Sequence, residues 1–109
     1  LLPNWEHDTV KSMRIIARRT LREYWERYPQ SEQQLRAWFR EAAASNWTSP
    51  EDVKSRYRHA SILKGNRVVF NIGGNKYRLV VQINYEFRSI YMRFVGSHAA
   101  YDKVDAETV

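Results

Sequence analysis

The sequence predicts an α+β fold, and three observations predict it. Two stretches in the first half space their apolar residues at helical intervals. Three stretches in the second half alternate with period two, the first pair of them split by Gly73-Gly74. A short β-branched run, Ile15-Ile16, stands ahead of the helices. The predicted architecture is an antiparallel sheet, one early strand and then a three-stranded meander, packed on an amino-terminal helical hairpin.

Bulk properties limit what such a domain can be. The 109 residues make one domain with one core. Hydrophobic residues at 43% and aromatic residues at 14% can fill that core and argue against disorder. Cysteine is absent, which excludes disulfides and a thiolate zinc site and fits a reducing cytosol. No apolar run approaches the ~20 residues needed to span a bilayer, and no signal-peptide pattern is visible. The net charge of +6 points to a polyanionic partner, most often nucleic acid.

Residues 1–12 carry Pro3 and Asn4 and lack clear periodicity, so they read as a flexible extension or an upstream-encoded segment, with the folded domain over 13–109. Arg14 to Arg18 is the first strand. Thr20, with Glu23 three residues on, has the pattern of a capping box for a helix reaching Tyr28, where Leu21, Tyr24, Trp25 and Tyr28 share a face and Pro29 stops it. Ser31 caps the second helix, whose stripe is Leu35, Trp38, Phe39 and Ala42 and which ends near Asn46. Ser49-Pro50-Glu51-Asp52 opens a short third helix ending by His59: a cap, proline in the first turn, then acids. Lys54, Arg56 and Arg58 give it a basic flank, in most proteins only a solvated face.

Ser61 to Lys64 leads into the meander, whose strands are Arg67–Ile72, Lys76–Asn84 and Ser89–Ser97. A two-residue turn at Gly73-Gly74 would set Asn71 opposite Lys76 and Phe70 opposite Tyr77. Alternation then puts Val68, Phe70, Ile72, Tyr77, Leu79, Val81 and Ile83 on the face covered by the helices. Arg67, Val69, Asn71, Lys76, Arg78, Val80 and Gln82 fall on the other, expected to be open and cationic.

The chain carries no Gly-rich nucleotide loop, no histidine–cysteine metal cluster and no nucleophile-elbow serine. What stands out is the cationic face leading into Gly96-Ser97-His98-Ala99-Ala100-Tyr101-Asp102-Lys103. Such a surface suits cleavage of RNA, which needs no metal because the 2′-hydroxyl is an internal nucleophile. The protein must take a proton from that hydroxyl, neutralise the phosphorane and give a proton to the leaving oxygen. Histidine is the residue type that titrates near neutral pH, which makes His98 a candidate. Arg78 offers a donor fork suited to phosphate oxygens, Lys76 a point charge, and Tyr101 a proton or a stacking ring. Each alone also has an ordinary structural reading: surface histidine, solvated cation, packed tyrosine.

The element order and the run K-Y-R-L-V-V-Q-I at Lys76 to Ile83 resemble the RelE/ParE toxin superfamily. R-I-I-A-R-R-T-L-R-E-Y-W at Arg14 to Trp25, N-R-V-V-F-N-I at Asn66 to Ile72 and F-V-G-S-H-A-A-Y-D-K at Phe94 to Lys103 resemble the HigB toxin family. The resemblance runs from about Met13 to the carboxyl end. It implies a RelE-like fold and a bacterial, cytoplasmic type II toxin: a ribosome-dependent endoribonuclease that needs no cofactor or metal, cuts translated mRNA in the ribosomal A site, arrests growth, and is neutralised by a HigA-type helix-turn-helix antitoxin in a hetero-oligomer. It also implies Arg78, His98 and Tyr101 as the catalytic set; Arg67, Asn71, Lys76 and Lys103 are the residues expected to contact RNA. The superfamily's lysine pair on the strand before the arginine is replaced here by Arg67 and Asn71, which favours a histidine-centred mechanism. Two other functions fit the same fold: a ParE-like toxin that binds gyrase without cutting RNA, and a non-catalytic RNA-binding module.

Overall fold

A computed structural model of the protein describes residues 12–109. The expected extension over 1–12 lies outside the described residues except for Ser12.

The chain begins with a strand, β1 (Arg14–Ile16), followed by α1 (Arg18–Arg27) and a single 3₁₀ turn over Pro29–Ser31. Next come α2 (Glu32–Ala44) and α3 (Pro50–Arg56). The strands β2 (Ser61–Leu63), β3 (Arg67–Ile72), β4 (Tyr77–Asn84) and β5 (Ser89–Ser97) follow, and a one-turn helix, α4 (His98–Tyr101), closes the series. The α+β class and the β3–β4–β5 meander are as the alternation predicts.

The sheet departs from the prediction in two ways. It has five strands in the order β1-β5-β4-β3-β2, because Ser61–Leu63 pairs with β3 instead of merely leading into it. It is also mixed, because β1 runs parallel to β5, with Ile15 opposite Ile90. A parallel neighbour needs a long crossover. Here α1 to α3 and strands β2, β3 and β4 all intervene between β1 and β5, a pairing that local sequence pattern does not encode.

The β3–β4 register is also corrected. Ile72, not Phe70, faces Tyr77, and Asn71 faces Arg78 instead of Lys76. Gly73, Gly74 and Asn75 all have positive φ and form a 3₁₀ turn in which Lys76 N–H reaches Gly73 O at 3.3 Å. The connection is therefore longer than a two-residue turn, and Lys76 belongs to it, not to the strand. The register moves by two positions, an even slip, so every side chain keeps its predicted face.

The first face is the core. Val68, Phe70, Leu79, Val81, Ile83 and Ile90 are buried against Leu21 and Trp25 of α1, Leu35, Trp38 and Ala42 of α2, and Val53 of α3. Trp38 meets Phe70 edge-on at 5.4 Å, and Trp47 stacks on the same ring at 6.1 Å. Each large aliphatic side chain sealed here is worth about 1.5–3 kcal/mol.

Local starts and stops differ from the capping reading. Thr20 caps nothing: α1 begins at Arg18, and its N-cap, Ala17, is left-handed at φ 68°. Glu23 pairs instead with Arg19, one helical turn back. Ser31 does precede α2, but its hydroxyl donates to Tyr28 O at 2.7 Å. Ser49 and Pro50 open α3 as expected, although the side chain serving that end is Asp52, which accepts from Thr48 N–H and Oγ1 at 2.8 Å.

The second face is not open. Val69 and Val80 are buried and Arg78 is 9% exposed. The segment after α4 folds against this face, where Arg67 donates to the main-chain oxygens of Ala106 (3.1 Å) and Val109 (2.6 Å). Val104, Ala106 and Val109 are half-buried there. Alternation could not reveal this cover, because residues without regular periodicity supply it.

Candidate functional site

Arg78 is the second residue of β4 and lies between Asn71 on β3 and Gly96 on β5. Its guanidinium is held from below by the turn. Nη1 donates to the carbonyls of Asn75 (3.2 Å) and Tyr77 (3.3 Å), and Nη2 donates to Asn75 Oδ1 at 2.8 Å. The Tyr101 ring lies over it, 5.8 Å from the guanidinium carbon to the ring centroid. Among the described residues no carboxylate lies within ion-pair distance of this cation. A nearly buried positive charge is thus oriented by neutral oxygens and an aromatic face and is not neutralised. Such a charge is expensive to bury unless an anion completes it.

Gly96 makes this arrangement possible. A Cβ at that position would come within 2.6 Å of Phe94 Cζ and 3.3 Å of Ala100 Cβ. Phe94 in turn packs on Tyr101, ring centroids 6.4 Å apart. The absent side chain therefore lets Phe94 lean across β5 and support the tyrosine above Arg78. Arg93 forms a bulge beside Phe94, where the β4–β5 register slips between Val80 and Val81.

His98 opens α4. Ser97 caps the helix, its Oγ accepting Ala100 N–H at 3.1 Å. His98 N–H donates to Lys76 O at 3.0 Å, which ties the end of β5 to the entry of β4, two residues from Arg78. The imidazole does not turn to the guanidinium. Its Nδ1 faces Asp102 Oδ2 at 3.3 Å, one helical turn on, with both side chains half-exposed. That contact favours the proton on Nδ1 and leaves Nε2 without a partner among the described residues.

The structure therefore gathers Arg78, Tyr101 and His98 at one end of the sheet, with Asn71 across from Arg78 and Lys76 at the turn. Lys103 is exposed just after α4. Arg67 stands apart. It faces Gln82, four residues along β4 from Arg78, or about 13 Å at strand rise. Two residues that the sequence reading passed over belong to the cluster. Asn75 holds Arg78, and Asp102 holds His98. The second carried a signal, since it follows His98 by four positions, but that spacing matters only once the segment is helical. Among the described residues no group of three His, Cys, Asp or Glu could hold a metal, and no helix is long and apolar enough to cross a membrane.

Comparison with known proteins places the chain in a family. The family model described as HigB toxin, RelE-like toxic component of a toxin-antitoxin system, matches residues 31–104. The chain belongs to the HigB toxin family. An mRNA interferase toxin HigB of Escherichia coli strain K12 is 32% identical over 92 residues, covering 83% of this chain and 88% of that protein. The mRNA interferase HigB of Shigella flexneri matches to the same extent. A more distant mRNA interferase HigB, from Escherichia coli O6:H1, is 24% identical over 94 residues, covering 84% of this chain and 91% of its own. The region matched by the HigB model runs from α2 through β5 to α4 and so contains the whole Arg78–Tyr101–His98 cluster.

Proposed function

We propose that this HigB-family chain is an endoribonuclease that cleaves translated mRNA in the ribosomal A site, as the toxin of a pair neutralised by a HigA-type antitoxin. The observation that carries this is Arg78. It is a buried, oriented cation with no carboxylate to neutralise it among the described residues, at the sheet end where His98 emerges.

In the proposed reaction the 2′-oxygen attacks the adjacent phosphorus and the bond to the 5′-oxygen breaks. The products are a 2′,3′-cyclic phosphate and a free 5′-hydroxyl. One proton leaves the 2′-hydroxyl and one arrives on the 5′-oxygen, so the reaction needs neither metal nor cofactor. Arg78 neutralises the charge that develops on the phosphorane oxygens, the electrostatic contribution that dominates such catalysis. His98 moves protons through Nε2 while Asp102 fixes the ring. Tyr101 keeps the guanidinium in place beneath the substrate. Asn71, Lys76 and Lys103 approach the RNA backbone around this point. Arg67 is left out of that set, because its Nη1 is committed to the main-chain oxygens of Ala106 and Val109.

The test is to map RNA 5′ ends in translating cells shortly after induction. The wild-type protein should generate new ends inside coding regions and arrest growth, and His98→Ala should do neither while remaining folded. Growth arrest by the wild type with intact mRNA would sink the proposal.

A further inference from the structure

A groove of about 740 Å³ runs between the α3–β2 connection and the β3–β4 turn. It exists because β2 stops opposite Val69, so Phe70, Asn71 and Ile72 have no neighbour on that side of β3. The connection, lined here by Tyr57, Arg58 and His59, forms one wall, and Asn71, Gly74 and Asn75 form the other. The volume lies in the range of sites for small ligands, roughly 300–1,000 Å³.

Three cations flank this groove in sequence, but two are already committed. Lys54 donates to the carbonyls of Arg58 and Ala60 at 2.7 and 2.9 Å. Arg56 pairs with Glu41 at 2.7 Å, and the Tyr57 hydroxyl is bound to the same carboxylate. Burial and that carboxylate push the Tyr57 phenol well up, so the residue stays neutral and serves as an apolar wall packed on Phe70 at 5.0 Å. Arg58 and His59 are exposed, and their side chains have no partner among the described residues. The cation free to act on a ligand in the groove is therefore Arg58, with His59 beside it.

The groove joins the Arg78 cluster through shared residues. Asn75 lines the groove and also holds the Arg78 guanidinium, and Asn71 lines it while facing Arg78 across the strands. We propose that this groove holds the nucleotide next to the scissile phosphate of single-stranded RNA, its phosphate on Arg58 and His59 and its base against Tyr57 and Asn71. The proposal rests on the endoribonuclease reading for which phosphate is cut. An acidic protein segment would also suit Arg58, but continuity with Arg78 through Asn75 favours a ligand that presents phosphates in succession.

The test separates the two proposals. Binding of a short labelled single-stranded RNA is measured in the His98→Ala background, where no cleavage is required. Adding Arg58→Ala and His59→Ala together should weaken binding about tenfold and make the salt dependence of log Kd shallower by about 0.7 per lost phosphate contact. Arg58→Lys should recover most of the affinity. In the cleaving protein the same pair of substitutions should raise KM and leave kcat unchanged. Unchanged RNA binding would overturn the groove assignment, as would a loss confined to antitoxin binding. If the wild-type protein leaves mRNA intact, the endoribonuclease reading fails, and RNA binding still decides the groove.

Discussion

Arg67 and Arg78 occupy the same sheet face, on neighbouring strands and in similar sequence settings, each before an alternating apolar run. Both find carbonyl oxygens as partners. Arg67 spends its donors on the backbone of the carboxyl-terminal segment, so it fastens a cover over Val69 and Val80. Arg78 is held by its own turn and by an aromatic ring, and at that end of the face His98 and the groove are close by. One face thus has a closed end and a charged end. What separates them is not the residue type but which segment of chain folds against each.

Four substitutions break or sharpen this contrast. The largest effect belongs to Arg78→Ala, which should lower the mRNA cleavage rate about 10²–10³-fold, the loss seen when one preorganised donor is removed from an oxyanion-type site. Wild-type cleavage by the purified, folded variant would erase the proposed distinction between the two arginines. Asp102→Asn should cost less, about tenfold in rate, because it weakens only the hold on His98 Nδ1 and leaves the imidazole in place. Its signature is a lowered kcat with RNA affinity unaltered, and an unchanged kcat would remove Asp102 from the account.

Gly96→Ala acts through packing. The new methyl must push Phe94 away and with it the ring above Arg78, an overpacking cost of about 1–3 kcal/mol in urea denaturation. The intensity of near-ultraviolet circular dichroism from Tyr101 and Phe94 should fall along with it. Arg67→Ala should be the mildest, destabilising by about 1 kcal/mol for the lost hydrogen bonds and leaving cleavage untouched. A rate loss as deep as that of Arg78→Ala would show that the closed end also serves the reaction.

Much of the fold was legible because the face pattern is periodic. Val68, Phe70, Leu79 and Val81 declare one side of a strand whatever the turn does, and an even register slip leaves that side unchanged. The helical stripe of Leu35, Trp38 and Ala42 is equally local. Helix starts were less legible. A Thr–x–x–Glu pattern at Thr20 predicts a cap, yet the left-handed Ala17 begins the helix earlier, and tertiary placement of β1 outweighs a capping preference worth about 1 kcal/mol. The candidate site was legible in its residue types only. Arg78, His98 and Tyr101 could be named from the strand, its end and the resemblance. Their supports, Asn75 and Asp102, look like ordinary turn and surface residues until the chain is folded.

By itself the sequence determined the class of fold, the identity of the core face and the positive charge, and it named Lys76 to Lys103 as the candidate site. These follow from composition and from periods of 2.0 and 3.6, which are properties of neighbours along the chain. Only the tertiary structure decided that β1 lies parallel to β5, that the carboxyl-terminal segment closes one end of the second face, that His98 faces Asp102, and that Arg58 keeps its charge free while Lys54 and Arg56 do not. Each of these depends on contacts between distant segments, where geometry and competition for partners set the outcome and local pattern carries no record of it.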